Sequence, residues 1–139
     1  MRDKRNTFWL LAAFLSIGFF ARGGTPEEFA GTWEARLKGV VICTLELKAG
    51  ETITGSMHAC KINVNSEGDL IETEPADPSA EAEAILHAKL EGETLSFETR
   101  DPDDEKPVRF ELHLTGHSQA DLTIVDAPVH VKPIHFKRQ

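Results

Sequence analysis

From Gly31 onward, apolar and polar residues alternate with a period of two, the signature of strands buried on one face. Trp33, Ala35 and Leu37 alternate with charged or polar neighbours, and Lys38-Gly39 then makes a turn. Cys43, Leu45 and Leu47 repeat the pattern, as do Leu95 and Phe97 after the Glu91-Gly92-Glu93 turn. Phe110, Leu112 and Leu114 follow, then Leu122 and Ile124, and Ile134 and Phe136 close the series. The alternation predicts eight or nine short strands with short connections and no long helix, an all-β antiparallel sandwich or barrel.

One stretch reads two ways. SAEAEAILHAKL (79–90) has helix-forming residues behind a serine cap. Ala84, Leu86, Ala88 and Leu90 also alternate, and a hairpin turn follows directly, which favours a strand from about Ile85.

GHSQA (116–120) resembles the nucleophile elbow of serine hydrolases. An elbow needs a helix after the serine and an α/β sheet to hold the acid and base. Here ADLTIVDAP follows, β-branched and alternating, and only 21 residues remain after Ser118. Asp126, His130 and His135 supply the residue types of a triad but no placement. The expectation is a polar hairpin turn that Gly116 permits, no catalytic residue and no enzyme.

Cys43 and Cys60 are the two cysteines of the chain. Ile53 and Met57 place odd positions inside, whereas Ile62 and Val64 place even ones inside, so a β-bulge is expected near His58-Ala59. If Ala49 pairs with Ile53, Leu45 faces Met57, and one bulge later Cys43 faces Cys60. The reading is a structural disulfide, worth roughly 3 kcal/mol by loop entropy. The pair lacks the Cys-x-x-Cys spacing of redox sites.

The first residues change the picture of location. Arg2, Lys4 and Arg5 precede an apolar run of 13 residues, Phe8 to Phe20, and Ala21 and Gly23 then stand two apart. That order is a signal peptide's, and the run is shorter than the ~20 residues a spanning helix needs. Residues 1–23 are therefore read as a signal peptide, 24–139 as a single domain, and the protein as secreted or periplasmic. Cleavage removes four of 15 basic side chains and one of 23 acidic ones, moving the formal charge from −8 to −11. A surface that acidic repels phosphate backbones and anionic lipid, which argues against nucleic-acid binding and against membrane association after cleavage.

TPEEFAGTWEA (25–35) sets an acidic turn and an aromatic before Gly31-Thr32-Trp33. This resembles the opening of lipocalins and related calycins, in which a Gly-x-Trp enters the barrel and an arginine near the last strand covers the indole. Arg138, on the inward parity of Ile134 and Phe136, stands where the resemblance puts that arginine. The Thr-Asp-Tyr triplet of lipocalins has no counterpart, since the chain has no tyrosine, and the aromatic cage of avidins has none either. The resemblance implies an up-and-down barrel of eight or nine strands with a short N-terminal helical turn, closed by Trp33 and Arg138.

Such a barrel is just wide enough to be filled by side chains or to hold one small ligand. Leu37, Leu45, Met57, Phe97, Phe110 and Leu112 are the candidate lining of an apolar pocket, and equally the members of a dry core. His113, His117, His130 and His135 invite a metal, but residues four apart on a strand lie about 13 Å from each other. Asp101, Asp103, Asp104 and Glu105 read as a solvated acidic turn, without the spaced ligands of a calcium loop. No metal and no cofactor is expected. The sequence thus points to an exported, non-enzymatic module that binds a small apolar ligand. The alternative is a structural or protein-interaction domain with a solid core.

Overall fold

A computed structural model of the chain describes residues 24–59, 63–71, 81–100 and 105–139. Within them a single helical turn, α1 (Pro26–Phe29), precedes nine strands. These are β1 (Gly31–Leu37), β2 (Val40–Lys48), β3 (Thr54–Ala59), β4 (Glu83–Ala84), β5 (Leu86–Glu91), β6 (Thr94–Thr99), β7 (Val108–Gly116), β8 (Gln119–Val125) and β9 (Ile134–Arg138). All pairings are antiparallel, in the order β4-β3-β2-β1-β9-β8-β7-β6-β5. Only Ile85 separates β4 from β5, so the two ends of the sheet belong to one run of chain and the barrel nearly closes.

That run changes neighbours at Ile85. Its first half pairs with β3 through Ser56↔Ala84 and Met57↔Glu83, and Ile85 N donates to Gly55 O at 3.0 Å. The second half pairs with β6, after a bulge between Leu86 and Lys89 in which His87 takes a positive φ of 53°. The stretch 79–90 thus contains strands from Glu83, as alternation favoured, with a correction of phase. Ile85 points inward and Leu86 outward, and the bulge restores Ala88 and Leu90 to the core side.

Tight turns set the other registers. Lys38 and Gly39 join β1 to β2 with positive φ at both positions, 52° and 82°, the geometry whose twist matches the strands. Leu45 opposes Met57, as the pattern predicted, but the ladder then runs unshifted to Cys43↔Ala59. The bulge expected at His58-Ala59 is therefore absent there. A bulge sits instead on β2 opposite Ala35/Arg36, where Ile42 is the extra residue. His117 and Ser118 form the hairpin turn between β7 and β8.

The core is the barrel axis. Rows of inward side chains run across strands in register, Leu95–Leu112–Leu122–Ile134 and Phe97–Phe110–Ile124 among them. The Phe97 and Phe110 rings stack with centroids 5.3 Å apart.

Candidate functional site

The strands run up and down, so the molecule has two distinct ends. At one, α1 lies across the barrel and buries Phe29, while Trp33 Nε1 donates to Phe29 O at 2.8 Å. The Arg138 guanidinium carbon sits 4.8 Å from the Trp33 ring centroid. Its Nη1 donates to Ala30 O at 3.0 Å and its Nη2 to His117 O. One side chain therefore ties the first strand, the last strand and the β7–β8 turn together. The connections at this end are the turns at 49–53, 92–93 and 117–118.

The opposite end holds the turn at Lys38-Gly39 and the described residues 63–71, 105–107 and 126–133 of the longer connections. Residues 63–71 form a small hairpin there, bridged at Val64↔Leu70, in which Asn65 Oδ1 accepts from the amides of Glu67 and Asp69, each at 3.0 Å. It docks onto the β8–β9 connection. Lys132 N donates to Gly68 O at 2.9 Å, Lys132 Nζ lies 2.7 Å from Asp69 Oδ1, and His130 packs on Gly68. The bond from Lys132 holds the Asp69 carboxyl below its ordinary pKa.

The loop end also gathers the exposed apolar side chains. Among the described residues Val40 (44%), Ile71 (45%), Leu86 (39%), Val108 (36%) and Val129 (58%) are the large apolar residues left exposed. Four belong to the loop end and Leu86 starts β5 on that side. The end sealed by Trp33 and Arg138 has none of them.

The candidate lining residues all lie on the inner face or its lip. Leu45 and Leu112 have no accessible surface, Phe97 has 2%, and Met57 and Phe110 are buried. Leu37 is half-buried and packs against the core. A side chain with no surface open to water has no water-sized void beside it, so Leu45 and Leu112 face other side chains and not an empty pocket. Cys43 is buried on β2 opposite Ala59; its proposed partner Cys60 lies outside the described residues, as do the signal-peptide reading and Asp101, Asp103 and Asp104.

The polar candidates are dispersed. Ser118 is in the turn at the sealed end, whereas Asp126 and His130 lie beyond the other end of β8, a strand about 23 Å long at ~3.3 Å per residue. On the outer surface, His113 Nδ1 meets Thr94 Oγ1 at 3.0 Å and His135 Nδ1 meets Asp121 Oδ1 at 2.9 Å. Among the described residues no three His, Cys, Asp or Glu side chains converge as a metal site would require.

Sequence reasoning missed the features of the loop end. Asp69 and Lys132 are 63 residues apart with no local pattern linking them. The exposed valines carry no signal separable from the core alternation. No family model and no curated protein matches this chain. Among solved structures, it is similar to the crystal structure of Tp0751 (pallilysin) of Treponema pallidum, with a TM-score of 0.49 and 16% identity over 93% of this chain and 96% of that chain.

Proposed function

We propose that this chain is an exported, non-enzymatic binding module that recognises its partner with the loop end of a filled barrel. The observation that carries the reading is the one-sided placement of Val40, Ile71, Leu86, Val108 and Val129, exposed at or toward one end while the other is sealed. Exposed apolar surface costs solubility, and its placement at one end of the barrel favours that end as an interaction site. The barrel axis, by contrast, is occupied by the chain's own side chains from Trp33 to Phe136, which disfavours a ligand enclosed inside. The strong negative charge keeps such a surface soluble and turns away nucleic acid.

The test uses an environment-sensitive anilinonaphthalene sulfonate dye. Loop-end variants Val40→Asp, Ile71→Asp and Val129→Asp should each cut dye fluorescence at unchanged melting temperature. Loss of dye binding in Met57→Ala, with the loop-end variants unaffected, would place the ligand inside the barrel and end this reading.

A further inference from the structure

We propose that the loop end carries a groove for a single-chain amphiphile with an anionic headgroup, built where β7 begins and β8 ends. The inference rests on the loop-end reading above and adds the class of ligand. The groove has a volume of about 570 Å³, within the ~300–1,000 Å³ of small-molecule sites. Its walls are Pro107, Val108, Ile124, Val125, Ala127 and Pro128.

Three features specify the occupant. The first is uncovered apolar surface. Val108 continues the inward parity of Phe110 and Ile124, yet it lies beyond the filled part of the barrel and stays 36% exposed. Ile124 beside it is only half-buried. Their side chains are aimed at the lip of the barrel, and the described chain leaves part of the surface of each open.

The second is the shortage of backbone donors. β7 and β8 are each paired on both sides, with β6, with β9 and with each other, and Pro107 and Pro128 beyond them have no N–H to offer an added strand. An extended peptide binds a sheet edge through main-chain hydrogen bonds, and an alkyl chain needs none. The groove therefore suits hydrocarbon better than peptide.

The third is charge. Lys106 and Arg109 flank the apolar walls, and among the described lining residues Asp126 is the one acid, a local basic excess in a chain of formal charge −8. Arg109 Nη1 stands 3.8 Å from Asp126 Oδ2, with side chains 61% and 80% exposed. A solvated pair at that separation is weak, and an incoming anion can replace the carboxylate. An alkyl chain along Val108 and Ile124 would then place its headgroup between Lys106 and Arg109.

The experiment is an amide NMR titration of the full chain with decanoate below its micelle concentration, with decyltrimethylammonium and decanol as headgroup controls. Decanoate should give saturable shifts at Val108, Arg109, Ile124 and Val125. Arg109→Gln and Lys106→Gln should each weaken decanoate by about two- to five-fold, the range of an exposed ion pair, and leave decanol unchanged. Asp126→Asn should tighten decanoate. Lengthening the chain by one methylene should strengthen binding by roughly two- to four-fold until the groove is full. Equal affinity for decanoate and decyltrimethylammonium would overturn the anionic class. No saturable shift with any of the three would overturn the groove and leave the dye-binding surface of Val40, Ile71 and Val129 standing. Shifts confined to Leu45, Phe97 and Leu112 would overturn both.

Discussion

Truncating Leu112 to alanine separates a filled barrel from a ligand cavity. Leu112 has no exposed surface and lies in register between Leu95 and Leu122, which are as deeply buried. Removing its three outer carbons forfeits about 2.4 kcal/mol of transfer free energy, at ~0.8 kcal/mol per buried methylene. Residual void adds about 1 kcal/mol for each ~40 Å³ that neighbours fail to fill, from ~24 cal/mol per Å³. The strands on both sides are pinned by backbone ladders, so collapse is incomplete and the expected cost is about 3–4 kcal/mol. Urea denaturation should show a lower midpoint with an unchanged slope. The melting temperature should fall by about 12–16 °C, at ~4 °C per kcal/mol for a domain of this size. A side chain lining a pre-existing cavity makes fewer contacts and has less to lose. A measured cost under about 1 kcal/mol would refute the argument that the interior is full.

Four further outcomes follow from other parts of the molecule. Arg138→Ala removes two hydrogen bonds to carbonyls and the cation over Trp33, and should cost about 2–3 kcal/mol in chemical denaturation; Arg138→Lys should recover less than half, and a cost below about 0.5 kcal/mol would deny the side chain any role in sealing that end. Gly55→Ala sets a methyl 1.9 Å from Glu46 O across the β2–β3 ladder and should cost about 2–3 kcal/mol through overpacking, read as a lower thermal midpoint. Asp69 has its pKa lowered in the fold, so its pairing with Lys132 persists above the ordinary value of 3.8 and is lost as pH falls through the lower folded value; the Lys132 amide, which donates to Gly68, should gain exchange rate only in that acid range, and in Asp69→Asn at all pH values. Protein recovered from an oxidising compartment should carry a Cys43–Cys60 bridge and yield no alkylatable thiol without reductant, and two modified cysteines would remove the bridge from the account.

The legible parts of this fold were those where one short-range rule dominates. Strand phase is a two-residue property, so Trp33, Leu45, Phe97 and Leu112 could be assigned to the inner face from their neighbours alone. The Leu45–Met57 register followed from a turn of fixed length, and GHSQA read as a turn because β-branched residues follow it. The errors fell on bulges. A bulge is one extra residue placed by pairing with another strand, so the pattern shows that phase must switch without showing where. The switch on β2 occurs at Ile42, itself apolar, and the one beside Leu86 hides in a stretch where both parities carry apolar residues.

The candidate site escaped the sequence for a related reason. At the sealed end the inward residues Leu47, Leu95, Leu114 and Phe136 are buried, and alternation predicts that correctly. At the loop end the strands outrun the core, so the same alternation continues onto surface: Val108 has the parity of Phe110 and the opposite environment. Burial there depends on how high the barrel is filled and on which loops fold over the lip, both set by contacts as distant in sequence as Asp69 and Lys132. Apolar alternation that overshoots a filled core is therefore the physical mark of this site. Val40, Val108 and Val129 keep 44%, 36% and 58% of their surface exposed, so each gains only part of what burial in the core would give. Their placement on one rim, above a barrel that needs no further contents, is what makes the loop end the place to look for a bound molecule.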